Sequence, residues 1–181
     1  MISMNGHELT ASVLAHDHSE IDILTGDLLA ALREGDRLKV FARLDLLWAR
    51  LAVHIRAEHL CLFPSILEAD FTISSDGPQY QEVQSAINQL RLDHEFFMRE
   101  LAATVKIMRQ ENASEQFREV HRSVVVIKSR LTKHNQLEEN QVYKWANVLL
   151  GEAERLELAD RVKRELENTP PRFSSDFEKL D

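Results

Sequence analysis

The chain has 181 residues, 44% apolar and 29% charged, the balance of a globular domain and not of a disordered one. Only 5 Gly and 4 Pro argue against turn-rich sandwiches and barrels and for long uninterrupted helices. The formal net charge of -8 disfavours a duplex nucleic acid or an anionic membrane surface as partner, and the single cysteine, Cys61, has no internal partner for a disulfide.

Met1 to Thr10 carries no apolar targeting core, and no apolar run approaches the ~18 residues of a membrane span. The expected location is the cytoplasm. The first helical pattern runs from about Ala11 to Arg33 and is broken by Gly35 and Asp36. A second runs to about Glu68, with Pro64 inside it either kinking the helix or marking its last turns. Residues 69–78 have loop chemistry. The third pattern spans about Gln79 to Gln110, and Asn112-Ala113-Ser114 is a turn in which Ser114 can cap the next helix. The fourth reaches about Leu150 and stops at Gly151. A charged helix, Glu152 to Glu167, follows, ended by Thr169, Pro170 and Pro171, with a loose tail beyond. The fold expected is all-α: an antiparallel up-down-up-down four-helix bundle with an additional C-terminal helix. Residues 1–150 form the bundle and 151–181 the C-terminal helix and tail.

Apolar residues step by three and four along each helix, the mark of a buried seam. The second helix places Leu44, Leu47, Leu51, His54, Glu58 and Cys61 on its seam. The fourth places Phe117, Val120, Val124, Ile127, Leu131, His134, Glu138 and Trp145 there, with Gln141 between the last two. Val83, Ile87, Leu90, His94, Phe97 and Leu101 line the third, and Leu14, His18, Ile21, Thr25, Leu28 and Leu32 the first. Each seam is mostly apolar until one level, where a His or a His-Glu pair interrupts it.

The interruption repeats. Asp17-His18 precedes His54-x-x-x-Glu58, and Asp93-His94 precedes His134-x-x-x-Glu138. His18 and His54 stand 17 and 19 residues either side of Gly35, and His94 and His134 stand 19 and 21 either side of Ala113. At ~1.5 Å of rise per residue, antiparallel helices bring all six side chains to within a turn or two of one level.

Six such groups in a core are costly unless paired, and a metal offsets that cost. Four imidazoles and two carboxylates suit iron, manganese or zinc. An i, i+4 pair puts both donors on one helix face, and two copies make a two-metal site in which each carboxylate can bridge. Each metal then has two nitrogens and two oxygens from the protein, leaving room for water, oxide, dioxygen, nitric oxide or peroxide.

At these positions the sequence resembles the hemerythrin-like, or HHE cation-binding, family. The matching stretches are LAHDHSEI, HIRAEHLCLFPSI, LRLDHEFFMREL and KHNQLEENQVY, across roughly residues 12 to 150. The resemblance implies a non-heme di-iron centre: two iron ions held by His18, His54, Glu58, His94, His134 and Glu138. Oxygen-carrying hemerythrins have a further His where this chain has Met98, and close the fourth helix with HxxxxD in place of His134-x-x-x-Glu138. In both respects the chain is more similar to bacterial members linked to nitrosative stress and iron-sulfur repair.

The remaining residues near the level read more plainly. His16 lies off the seam and outside the ligand set. His59 and His121 read as solvated or as partners of ligands, and Glu139 as a solvated neighbour of Glu138. Asp17 and Asp93 can accept from ligand histidines, Asp17 equally as a helix cap. Phe97 and Met98 line the pocket, and Cys61 is a small core residue. Tyr143 reads as packing, with a hydrogen bond to a bound ligand or an electron relay as the other roles its position allows. His94-Glu95-x-x-Met98 lacks the second His of a zinc protease motif. The expected function is to bind or reduce a small oxidant: dioxygen, nitric oxide or peroxide. The alternatives are a sensor of oxygen, nitric oxide or iron without turnover, and an iron donor for cluster repair. The electron donor and any protein partner are not specified by the sequence.

Overall fold

A computed structural model describes residues 9–72, 77–109 and 113–169. They form five helices and, among the described residues, no strand. Helix α1 is Leu9–Glu34. Gly35 adopts φ +72°, a left-handed conformation that glycine takes without a Cβ penalty, and reverses the chain. Asp36 then caps α2 by accepting from the Lys39 backbone N–H at 3.1 Å. Helix α2 comprises Arg37–Ala57, a π-helical turn Glu58–Leu62 and Phe63–Leu67. Helix α3 is Tyr80–Met108. Helix α4 comprises Ala113–Leu137, a second π-helical turn Glu138–Val142 and Tyr143–Leu149. Helix α5 is Glu152–Glu167. These limits fall within about two residues of those read from the sequence. Ser114, the candidate cap, falls on the second residue of α4, and its side chain lies outside the described residues. Pro170, Pro171, the tail and the residues before Leu9 lie outside the described residues.

The four long helices pack in a ring, α1 on α2, α2 on α3, α3 on α4 and α4 on α1, and α5 lies against α1 and α2. Among the described residues no helix is long and apolar enough to cross a membrane. The apolar interior falls into two clusters. One holds Leu14, Ala57, Phe63, Leu90 and Val142 with the inner face of α5; the other holds Ile21, Leu51, Phe97 and Leu131. The polar level lies between them: His18 separates Leu14 from Ile21, and His94 separates Leu90 from Phe97.

The π-helical turns account for two details. In α4 the extra residue shifts the seam, so that Val142 is buried and Gln141 is exposed, contrary to the simple three-four stepping. In α2, Pro64 does not end the helix; it sits in the first turn after the π-helical turn. Proline has no N–H to give to the helix ladder at this point. Arg161 of α5 donates to the Leu60 carbonyl at 3.0 Å. Arg56 fastens the other end of α5, donating to the Glu165 carboxylate at 2.8 Å and to the Asn168 carbonyl at 2.8 Å.

Helix α5 buries Leu158, Val162 and Leu166. Leu158→Ala is expected to destabilise the protein by ~2–5 kcal/mol through lost transfer energy and a residual cavity, lowering the urea midpoint. An unchanged midpoint would show that α5 does not dock in solution.

Candidate metal centre

Each helix of the ring delivers one level of polar side chains to the axis: His18 from α1, His54 and Glu58 from α2, His94 from α3, and His134 and Glu138 from α4. All six are buried, the least so being His18 at 4% exposed. Their inward atoms converge. His94 Nε2 is 3.2 Å from Glu58 Oε2, His134 Nε2 is 2.9 Å from Glu138 Oε1, and His18 Nε2 is 3.1 Å from Glu138 Oε2. His54 Nε2 is 3.6 Å from Glu58 Oε2, and the Nε2 atoms of His94 and His134 are 3.1 Å apart. Two overlapping groups result, Glu58–His94–His134–Glu138 and His18–His54–Glu138, each with its candidate ligand atoms within 4.8 Å of one another. All six residues named from the sequence are brought together.

These residues fit a metal. His54 Nε2, Glu58 Oε2 and Glu138 Oε1 are buried without a hydrogen-bond partner, although each has an atom of another converging residue within 2.9 to 3.6 Å. Buried polar atoms are normally satisfied. Atoms that face one another closely without hydrogen bonding are arranged as donors to a common centre, and imidazole with carboxylate is a donor set suited to iron.

The outward Nδ1 atoms are all held. His54 Nδ1–H donates to Asp17 at 2.6 Å, His18 Nδ1–H to Glu139 at 2.8 Å and His134 Nδ1–H to Asp93 at 3.4 Å. His94 Nδ1 shares a hydrogen bond with His59 Nε2 at 2.9 Å. Anchoring of the outer nitrogen fixes both the tautomer and the direction of the inner one. Asp17 and Asp93 thus act on ligand imidazoles, as the sequence suggested. Glu139 is not merely a solvated neighbour: half-exposed as it is, it reaches back to α1. His59 likewise orients His94.

Sequence reasoning missed two arginines. Arg50 pairs with Asp17 and Glu20. Arg130 donates from Nε to Asp93 at 2.8 Å and covers the Phe96 ring at 4.2 Å. Each stands four residues before its helix's ligand histidine, so the repeat is Asp-His, then Arg-x-x-x-His-x-x-x-Glu, in both halves. That spacing was available in the sequence. His16 is exposed and pairs with Glu20 on its own helix, at 3.4 Å. His121 is exposed. Phe97 meets the His134 ring edge-on at 5.3 Å, and Met98 packs at the edge of the same apolar cluster.

A family model, the hemerythrin HHE cation binding domain, matches residues 9–146. The chain belongs to that family. No curated protein and no solved structure matches it. The hemerythrin match contains all six converging residues and both π-helical turns, and it ends before α5.

The π-helical turns explain a further pair of neighbours. In a regular α-helix a residue five positions on points about 140° away from the first. Here the wider turn brings it back, and the N–H groups of Phe63 and Tyr143 bond the carbonyls of Glu58 and Glu138. Phe63 consequently stacks on His94 at 5.9 Å and Tyr143 on His18 at 5.8 Å. α-Helical spacing gives no hint of either contact.

Electrostatics of the metal-free centre follow from this packing. Burial pushes the His54 imidazolium down, but Glu58, Asp17 and Glu138 outweigh it and hold the group up at about 9. For His134, burial is likewise outweighed by Glu138, Asp93 and Glu58, giving about 10. Glu138 is raised by burial but held well below the usual carboxylate range by His134 and His18. Burial with the charges of Glu138 and Glu58 keeps the Tyr143 phenol protonated well above its ordinary value.

Two outcomes follow. A raised folded-state value means that the stabilisation from His54 and His134 is complete below about pH 6.5, their ordinary value, and is lost as pH rises through about 9 and 10. Chelator-treated protein should melt at progressively lower temperature across that window; a flat profile would contradict the ion pairing. Asp17→Asn removes the charge on His54 Nδ1 and is expected to weaken metal binding ~10–100-fold, measured by competition with a chelator. Unchanged affinity would remove Asp17 from the centre.

Proposed function

We propose that the protein is a non-heme di-iron protein of the hemerythrin fold, an up-down-up-down four-helix bundle, that binds or reduces a small oxidant: dioxygen, nitric oxide or peroxide. The observation that carries the reading is the set of orphaned inward atoms on His54, Glu58 and Glu138 between two apolar clusters. His18, His54, His94 and His134 would hold the two irons through Nε2, together with the carboxylates of Glu58 and Glu138. Bound iron supplies a Lewis-acidic, redox-active pair that polarises a small ligand and exchanges electrons with it.

The remaining work belongs to the chain. Asp17, Asp93, Glu139 and His59 keep the four imidazoles aimed inward. Ile21, Phe97 and Leu131, each one turn from a ligand on its own helix, are all but inaccessible to solvent and exclude water from the level. Met98, where oxygen carriers have another imidazole, leaves fewer protein donors and more room for an exogenous ligand. This supports chemistry closer to the stress-linked bacterial members than to reversible oxygen carriage. The net charge of -8 agrees with a small-molecule ligand over a duplex nucleic acid or an anionic membrane surface; the location proposed is the cytoplasm.

Iron analysis with an absorption spectrum tests the reading. Wild-type protein is expected to carry about two irons per chain, with charge-transfer bands that bleach on reduction. His54→Ala and Glu58→Ala are each expected to lose iron and the bands. Unchanged iron content in both variants would overturn the ligand assignment. Sustained loss of added peroxide would mark turnover, and a spectral response without loss would mark a sensor.

A further inference from the structure

The two halves of the centre are not equivalent, and the difference lies at Tyr143. The residues five positions after the two glutamates are Phe63 and Tyr143, and the π-helical turns place each ring against the ligand histidine of another helix. The Phe63 half ends in a hydrocarbon ring. The Tyr143 half carries a hydroxyl at the centre itself, 3.1 Å from His18 Nε2, 3.3 Å from Glu58 Oε1 and 3.4 Å from Glu138 Oε2.

Those three contacts cannot all be hydrogen bonds. A phenol has one proton to donate. Ionised carboxylate oxygens only accept, so of its contacts with Glu58 and Glu138 the hydroxyl can donate to one. The other then sets lone pair against lone pair in a buried site. A cation among the four atoms resolves the conflict. The spacing agrees: donors about 2.1 Å from one metal and at right angles stand about 3.0 Å apart. The hydroxyl oxygen lies at close to that distance from His18 Nε2, just as Glu138 Oε2 does at 3.1 Å.

We propose that the Tyr143 oxygen is a seventh protein ligand of the centre, belonging to the metal position built from His18, His54 and Glu138, and that Phe63 leaves the other position without a counterpart. Coordination displaces the hydroxyl proton, which is released to solvent as metal is taken up. The phenolate would make the set of His18, His54 and Glu138 harder and more anionic than those three alone, which favours the ferric state there.

The proposal rests on the di-iron reading, and the two can fail separately. The experiment is resonance Raman and visible absorption spectroscopy on the full-length, ferric-loaded protein beside Tyr143→Phe, with iron counted in both. Phe fills the equivalent place in the other half, so the variant should fold, and thermal denaturation checks that it does. Wild type is expected to show enhanced phenolate ring modes and a visible phenolate-to-iron band. Tyr143→Phe is expected to lose both and to hold one of its two irons at least ~10-fold more weakly against a chelator. A tyrosine acting only by packing or hydrogen bonding would give no phenolate modes. Two irons in the wild type without such modes would overturn this assignment alone, and wild-type protein that takes up no iron would overturn the di-iron reading with it.

Discussion

An imidazole lodged between apolar clusters must be held by something other than water, and four of them lie at one level of this bundle. Each is gripped from outside through Nδ1, and that grip decides where Nε2 points. The outer partners are secured in turn: Arg50 on Asp17 and Arg130 on Asp93. The charge on each aspartate thus faces a guanidinium on one side and an imidazole on the other. Two apolar clusters above and below the level keep out the solvent that would otherwise compete for the same atoms. Removing any outer link frees an inner nitrogen to turn, and the convergence of the six side chains depends on none of them turning.

The centre is built twice from one pattern. Each half contributes Asp-His on one helix and Arg-x-x-x-His-x-x-x-Glu on the next, followed at once by a π-helical turn. The halves also serve each other: Glu139 of the second holds His18 of the first, and His59 of the first holds His94 of the second. Departures from this near-symmetry sit where it matters chemically. His59 answers to Glu139, and Phe63 to Tyr143, so the first half presents an imidazole and a hydrocarbon ring where the second presents a carboxylate and a phenol. Burial and the neighbouring His94 lower the basicity of His59, offset in part by Glu58, which reinforces that contrast.

Much of this could be read in the chain. The seams of Leu44 to Glu58 and Val83 to Leu101 predict which faces are buried, and the distances of the four histidines from Gly35 and Ala113 predict their common level. Such reasoning works because helical rise and period are fixed by backbone geometry. It fails where the period changes. The residues of Glu58–Leu62 and Glu138–Val142 do not announce a wider turn. Gln141 was accordingly placed on the wrong face, and the approach of Tyr143 to His18 lay hidden. Glu139 was misread for another reason: contacts made across 121 positions in sequence depend on tertiary packing that no local pattern encodes. Arg50 and Arg130 were legible all along as part of the repeat.

The Leu60 carbonyl ties this interior to the periphery. It lies in the π-helical turn just before Pro64, and Arg161 of α5 donates to it. The turn that presents Glu58 inward therefore presents Leu60 outward, to a helix beyond the span of the matched family model. Thermodynamic reciprocity applies to such a shared turn: whatever steadies it from within steadies α5 from without by the same free energy. Anything that moves the turn carrying Glu58 also moves the acceptor that Arg161 holds, so the seating of α5 and the placement of Glu58 are not independent.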